Sequence, residues 1–246
     1  MPEMFGTHHS KMLILFRHDD MAQVIIHTAN MIPRDWANMA QGMWRSPLLP
    51  LTHTQGGEDE EQGESKTRMG DGVKFKKDLL NYLREYDRRT LCCRNLVERL
   101  EKYDFSAIRA VLIASVPGRH MRHDDSTTRW GWAALAVALG FLTVKGEKKA
   151  EVVIQISSIA TLGPKDTWLR QTLFKALGSS ARNPSMQTCD FKVVFPTPDE
   201  IRRSLDGYNA GASVHTKIQS PQQQKQLEYL TPILHHWADD APKGAS

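Results

Sequence analysis

Three polar residues at the ends of two short apolar runs could together act on a phosphate ester. His9 and Lys11 lead into the apolar run 11–16, and Asn30 follows a second run, 23–27. Both runs are predicted to be strands buried on both faces and joined by a tight turn. Because residues two apart in a strand point to the same side, His9 and Lys11 can share one face. Adjacent strands bring their ends close together, so Asn30 could complete the same small site.

These residue types suit a phosphate. Lys11 supplies a fixed positive charge to the non-bridging oxygens, and Asn30 donates a directed hydrogen bond. A neutral His9 has a lone pair with which it could attack phosphorus as a nucleophile. Protein cations neutralise the phosphate charge, so neither a metal nor a cofactor is predicted. The alternative is a histidine at a buried edge beside a lysine that reaches solvent, since a His-x-Lys tripeptide alone is common.

The elements that position these residues are predicted from hydrophobic periodicity. Strands alternate with helices, which indicates an α/β fold with a mixed or mostly parallel sheet. Residues 52–72, rich in Gly, Glu, Ser and Gln, predict a solvated acidic loop. The further predicted strands are 109–116, 151–157 and 191–195, and the predicted helices are 75–86, 91–103, 127–142, 168–177, 199–205 and 222–237.

Composition narrows the class of protein. The 246 residues carry 32 Lys and Arg against 28 Asp and Glu, a net charge of +4. A mildly basic body with one acidic loop suits an anionic partner such as nucleic acid, although many cytosolic proteins share this balance. Three cysteines without a CxxC pair predict neither a disulfide framework nor a zinc ribbon. The uncharged run 130–144 is shorter than the roughly 20 residues of a membrane span, and no secretory signal is visible.

Short blocks of sequence resemble one protein family. They occur in the same order as in that family and are spread over nearly the whole chain. They resemble eukaryotic tyrosyl-DNA phosphodiesterase, which belongs to the phospholipase D superfamily, and residues 214–225 are similar to fungal members. Any one block is weakly specific, but together they are very specific. The matching blocks are 5–12, 24–30, 35–36, 41–48, 115–119, 155–163, 195–196 with 204–208, and 210–213.

The resemblance implies a fold of two pseudo-symmetric α/β halves with a groove between them. Residues 1–108 would form the first half, which carries the HxK…N motif, and residues 109–246 would form part of the second. Both halves would be incomplete. The family removes tyrosine and other adducts from DNA 3′ ends, single-stranded or nicked, in nuclear single-strand break repair. The implied partner is therefore DNA rather than a membrane.

The resemblance also assigns roles to individual residues. His9 matches the nucleophile that forms a transient phosphohistidine with the DNA 3′ end, and Lys11 and Asn30 match residues that hold the phosphoryl oxygens. The remaining matched residues line the DNA-binding groove. Among them, the resemblance implies that Phe5 stacks on a base, that Ser158 and Thr161 contact the backbone, and that Ala212 and Ser213 form a lining turn.

The sequence departs from the family pattern at both ends, and the strands that precede the first motif in the family are missing. The family carries a second HxK…N motif whose histidine acts as general acid, and this chain stops at Ser246 before it. His215-Thr216-Lys217 is not that motif, because Pro221 and a glutamine run follow it in place of a strand ending in Asn. The chain alone is therefore expected to be weakly active or inactive. The alternatives are a non-catalytic DNA-binding or partner-binding remnant and a lipid-directed hydrolase of the same superfamily.

Overall fold

The two apolar runs beside the candidate site form an antiparallel hairpin. β1 (Met12–Phe16) pairs with β2 (Met21–His27), which confirms the two predicted strands. Their predicted burial on both faces is wrong, because β2 buries alternate residues and Leu15 of β1 is exposed. In the turn, the Arg17 backbone N–H donates to the Met21 carbonyl at 2.8 Å. Asp20 takes a left-handed conformation with φ 55°, which aspartate tolerates better than most residues. The hairpin therefore closes tightly, as predicted.

The structure is a computed structural model of the chain. It describes residues 9–52, 68–90, 92–118, 120, 128–143, 150–180, 189–216 and 218–236, without the side chains of 89, 90, 213 and 215. The chain divides into two compact units, Met1–Ala138 and Leu139–Ser246. That division lies further along the chain than the expected boundary after residue 108. The assignment of each part to one half of the family fold stays a prediction.

The first unit is a sheet packed against two helices. β2 is its central strand and pairs antiparallel with β1, β3 (Met43–Arg45) and β4 (Leu49–Pro50). Alternate residues of the strands face the helices, so that one face of the sheet is buried. The helices of the unit up to residue 100 are α1 (Pro33–Ala37), α2 (Gly72–Thr90) and α3 (Arg94–Leu100). The most deeply buried apolar residues of this core are Ala22, Val24, Leu49, Phe75, Leu79, Leu100, Phe105 and Ile108.

The start of α2 depends on the absence of a side chain at Gly72. A Cβ there would overlap the backbone carbonyl of Phe105. Gly72→Ala is therefore expected to lower the free energy of unfolding by about 1–3 kcal/mol or more, because backbone must move to admit the methyl group. Gly140→Ala is the control, since nothing lies within 4 Å of its added Cβ. Urea unfolding of both variants checks this, and equal stabilities would contradict the close approach.

Residues 109–116 were predicted to be a strand, and that prediction is wrong for the described chain. The segment is extended, and its exposure alternates along most of its length. Ala110 and Leu112 pack against the core while Val111 and Ile113 are exposed. Alternation shows which side chains are buried, but a strand also needs a paired backbone, and no strand partner occurs among the described residues.

A backbone hydrogen bond ties the end of this segment to the start of the next described helix. The Gly131 backbone N–H donates to the Ala114 carbonyl at 2.7 Å, at the start of α4 (Gly131–Gly140). Gly131 has a φ of 56°, which favours glycine. The predicted helix 127–142 is therefore confirmed over its central ten residues.

The second unit contains parallel strands. β5 (Glu151–Gln155), β7 (Asp190–Val194) and β9 (Leu234–His235) form one sheet, and β6 (Ser158–Ile159) pairs with β8 (His215–Thr216). Ile159, Leu169, Phe174 and Leu230 form its buried core. Its helical segments are a π-helical turn Leu169–Phe174, α5 (Lys175–Leu177), α6 (Pro198–Arg203), a 3₁₀ turn Gly207–Ser213, α7 (Pro221–Leu230) and a 3₁₀ turn Thr231–Ile233.

Taken together, the described sheets and helices match the predicted α/β class, and both strand directions occur, although each described sheet contains only one of them. The strand pairs of the first unit are antiparallel and those of the second are parallel. The predicted loop 52–72 lies mainly outside the described residues. Within the described part of the chain, no helix combines the length and the apolar character needed to cross a membrane.

Candidate active site

A cavity of about 420 Å³ lies beside the entrance to β1. His9 and Lys11 both line it, and residues 110–115 form part of its wall. The Lys11 ammonium donates a hydrogen bond of 2.9 Å to the His9 carbonyl, so the lysine side chain turns back towards the histidine. His9 is exposed. The structure therefore brings these two predicted residues to one accessible cavity.

A second imidazole lines the same cavity. The His27 backbone N–H donates to the Lys11 carbonyl at 3.0 Å, so the two residues lie opposite each other across the hairpin. Opposite residues of an antiparallel pair project to the same face. The His27 Nδ1 atom is buried and has no hydrogen-bond partner among the described residues. Its ring centroid lies 5.5 Å from that of Trp36.

Asn30 is held by a buried carboxylate. The backbone N–H and the side-chain Nδ2 of Asn30 donate to the same Asp35 oxygen, at 2.6 and 2.8 Å. The Trp36 indole N–H donates to the Asn30 carbonyl at 2.8 Å. Asp35 is 4% exposed, and Gln41 bonds to its backbone carbonyl. The Asn30 amide is thus fixed in orientation by a residue on α1 that the spacing analysis did not single out.

Asn30 is not among the residues that line the cavity with His9 and Lys11. It lies three residues beyond the end of β2, in the loop that leads to α1. The described structure therefore brings His9 and Lys11 to one cavity, and Asn30 does not line it. The convergence of all three side chains on one phosphate stays a prediction.

Loss of the Asp35 carboxylate is expected to release the Asn30 loop. Asp35→Leu removes the charged acceptor that two N–H groups of exposed Asn30 share, and the loss of hydrogen bonds to a charged group is expected to cost about 1.5–3 kcal/mol. Asp35→Asn keeps an acceptor oxygen and should be milder. Asp19→Asn, in the exposed hairpin turn, is the matched control. Urea unfolding compares the three, and a leucine variant as stable as the control would contradict the role of the carboxylate.

Ser10, between the two cavity residues, is anchored to α2. The hydroxyls of Ser10 and Tyr82 share a hydrogen bond of 2.6 Å, and those of Tyr82 and Tyr86 share one of 3.0 Å. Burial raises the pKa of Tyr82 above its ordinary value, so the phenol stays protonated at neutral pH. Because Ser10 is tied down, the backbone that carries His9 and Lys11 is held against the helix.

The predicted DNA-binding residues of the second unit lie on two neighbouring segments. Ser158 begins β6 and is the register partner of His215 in β8. Ala212 and Ser213 end the 3₁₀ turn that leads into β8. Thr161 follows β6 and is exposed. Because the two strands run parallel, Ser158 and the turn that contains Ala212 lie towards the starting end of this small sheet, whereas Thr161 follows its other end.

Some predicted features fall elsewhere. Phe5 lies outside the described residues, and so does the side chain of Ser213.

Among the residues that the structure describes, no group of three His, Cys, Asp or Glu side chains could hold a metal ion. The expectation that the chemistry needs no metal or cofactor stays a prediction.

A model of the family described as tyrosyl-DNA phosphodiesterase matches residues 1–245. The chain belongs to the tyrosyl-DNA phosphodiesterase family. This confirms the resemblance found in the sequence, and the family is one of phosphodiesterase hydrolases.

Curated relatives agree with the tyrosyl-DNA phosphodiesterase assignment. A probable tyrosyl-DNA phosphodiesterase of Schizosaccharomyces pombe is 31% identical over 278 residues, which covers 92% of this chain and 49% of that protein. Tyrosyl-DNA phosphodiesterase 1 of Drosophila melanogaster is 35% identical over 214 residues, which covers 86% of this chain and 35% of that protein. The chain therefore spans about half, or less, of the length of these relatives.

A solved structure agrees on the fold. The crystal structure of a yeast tyrosyl-DNA phosphodiesterase matches with a TM-score of 0.67 at 18% identity, covering 94% of this chain and 52% of that one. At this identity the match shows the fold alone, an α/β fold of phospholipase D type, which confirms the predicted class.

Proposed function

We propose that this protein removes tyrosyl and other adducts from DNA 3′ ends through a covalent phosphohistidine on His9. An imidazole nitrogen of His9 attacks phosphorus, the P–N bond forms, and the P–O bond to the tyrosyl oxygen breaks. Water then attacks phosphorus and breaks the P–N bond, which frees His9 and leaves a 3′-phosphate on the DNA. The observation that supports this most is the shared cavity of exposed His9 and Lys11 in a member of this family.

Two further groups serve the first step. Lys11 neutralises non-bridging oxygens as negative charge develops on them. Asn30, its amide oriented by Asp35, donates a hydrogen bond to the same phosphoryl group. The leaving tyrosyl oxygen has a conjugate-acid pKa near 10, so this step depends less on a general acid than loss of an alkoxide would.

The second step is the slow one in this chain. The 246 residues contain one HxK motif that enters a strand whose neighbour ends near an asparagine. Lack of the general acid that a second such motif would supply is expected to cost about 10²–10⁴ in rate. The covalent intermediate therefore forms and accumulates, and turnover by this chain alone is weak.

The predicted DNA contacts serve binding rather than chemistry. Ser158 and Thr161 contact the DNA backbone, Ala212 and Ser213 form a turn that lines the DNA-binding groove, and Phe5 stacks on a base, a contact type worth about 1–3 kcal/mol. The net charge of +4 suits a polyanion. The physiological setting is single-strand break repair in the nucleus.

The experiment incubates the chain with a single-stranded oligonucleotide that carries a 3′-phosphotyrosyl group and follows release of tyrosine. A burst of tyrosine of about one equivalent per chain, with an acid-labile protein–DNA adduct and slow later turnover, is the expected result. DNA binding that weakens with salt, without any tyrosine release or adduct, would instead identify a non-catalytic DNA-binding protein. Absence of both binding and release would overturn the proposal.

A further inference from the structure

One face of α7 holds the turn that carries Thr161. Gln226, 1% exposed, donates from Nε2 to the Ala160 carbonyl at 2.9 Å and accepts at Oε1 from the Leu162 N–H at 2.7 Å. The Tyr229 hydroxyl donates to the Gly163 carbonyl at 3.1 Å. A single helix therefore fixes the backbone on both sides of Thr161.

Gln223 reaches the side chain of Thr161 itself. Its Oε1 accepts from the Ser220 N–H at 3.0 Å in the capping box at the start of α7. Its Nε2 donates to the Thr161 Oγ1 at 3.2 Å. The helix cap thus holds the Oε1 atom of Gln223, and this orients its Nε2 atom towards the Thr161 hydroxyl.

The direction of that hydrogen bond matters for a phosphate ligand. A hydroxyl has one hydrogen to donate and two lone pairs that accept. Because Thr161 Oγ1 accepts from Gln223, its hydrogen is left to point elsewhere, and the residue is exposed. Phosphate oxygens only accept, so a hydroxyl in this state is ready to donate to one.

The side chains involved share one face of the helix. Gln223, Gln226 and Tyr229 are spaced three residues apart along α7, which places them as neighbours on its surface. Gln224, in the same glutamine run, is exposed and makes no side-chain hydrogen bond within the described chain. The run therefore contains both bonded and solvated glutamines.

We propose that Gln223 is a positioning residue that presents the Thr161 hydroxyl as a donor to a DNA phosphate, on a turn fixed by Gln226 and Tyr229. The inference rests on the proposed function, in which Thr161 contacts the DNA backbone. It goes further because it explains why the Thr161 hydroxyl donates its hydrogen to the phosphate. The explanation is the hydrogen bond from Gln223, a residue that need not touch DNA.

The first test is a double-mutant cycle on binding. Affinity for a single-stranded oligonucleotide with a 3′-phosphate is measured by fluorescence anisotropy for Gln223→Ala, Thr161→Val and the double variant. Gln223→Ala is expected to raise Kd roughly fivefold in the unsubstituted chain, the loss of one directed hydrogen bond, and to have no further effect beside Thr161→Val. A merely structural role would give the same loss in both backgrounds and would overturn the inference.

The second test reverses the hydrogen bond while preserving the helix cap. Gln223→Glu keeps an oxygen for the Ser220 N–H, but its carboxylate accepts the Thr161 hydrogen and withdraws it from the phosphate. Gln224→Glu adds the same charge one residue away and is the matched control. Gln223→Glu is expected to weaken binding several-fold more than the control.

The outcomes separate the two proposals. Equal effects of Gln223→Glu and Gln224→Glu, with clear binding by the unsubstituted chain, overturn the positioning role and leave the proposed function standing. No measurable binding by the correctly folded unsubstituted chain overturns the proposed function, and the inference with it. Gln224→Ala should bind as the unsubstituted chain does in every case.

Discussion

His9→Ala is expected to abolish the covalent protein–DNA adduct and to slow release of tyrosine from a 3′-phosphotyrosyl oligonucleotide at least about 10³-fold. The reason is that no P–N bond can form without the imidazole, and attack by unactivated water is slow. Single-turnover kinetics with excess protein measure this, because they do not depend on the slow hydrolysis step.

The control for His9 is another exposed histidine of the same unit. His18 lies in the β1–β2 turn, and His18→Ala should release tyrosine at the rate of the unsubstituted chain. Thermal unfolding of both variants establishes that they are folded. A His9→Ala variant that still formed the adduct would assign the nucleophile elsewhere in the chain.

Lys11→Met is expected to lower the single-turnover rate about 10²–10³-fold, the usual cost of removing one group that stabilises developing charge. Binding of a 3′-phosphorylated oligonucleotide should weaken much less, since the charge on the phosphoryl oxygens is fully exploited only in the transition state. The methionine keeps most of the length and apolar character of the side chain, so that packing beside β1 is preserved.

Lys102→Met serves as the control for the loss of one positive charge, since Lys102 is exposed in the same unit. Equal rates for the two methionine variants would contradict a specific role for Lys11. A Lys11→Met variant that lost binding and rate in equal measure would show that the ammonium holds the ground state as firmly as the transition state.

The hydrophobic pattern of the sequence predicted β1 and β2, because buried strands need apolar residues at neighbouring positions. The apolar runs 11–16 and 23–27 are enough to place Lys11 at the start of one strand and His27 at the end of the next. They cannot state which residues lie opposite each other, because register also depends on the turn. The sequence therefore did not predict that His27 lines the cavity, which follows from its position opposite Lys11 in the hairpin.

Residues 109–116 show the limit of the same reasoning. Their alternating exposure follows from packing on the core, and the largely apolar run itself does not state which side chains face that core. Pairing depends on another segment that offers its backbone at the right distance, which is a tertiary property. A short apolar run of this kind therefore predicts an extended conformation more reliably than membership of a sheet.

The supporting residues of the site escaped prediction for a different reason. Asp35 acts through a hydrogen bond to Asn30 across a short loop, and Tyr82 acts through a contact with Ser10 distant in sequence. Neither position carries a periodic signal of that role. The glutamine run near Gln223 reads as solvated by composition alone, and only the fold shows which of its side chains are bonded.

The most direct test of the central claim is to locate the covalent bond. After brief reaction with a short 3′-phosphotyrosyl oligonucleotide, the chain is digested at neutral or alkaline pH, which preserves phosphohistidine, and its peptides are sequenced by mass spectrometry. The account predicts that the nucleotide is carried on the His9 imidazole and that acid removes it. An adduct on His27 or on a serine or tyrosine, or none at all from a chain that binds the DNA, would contradict it.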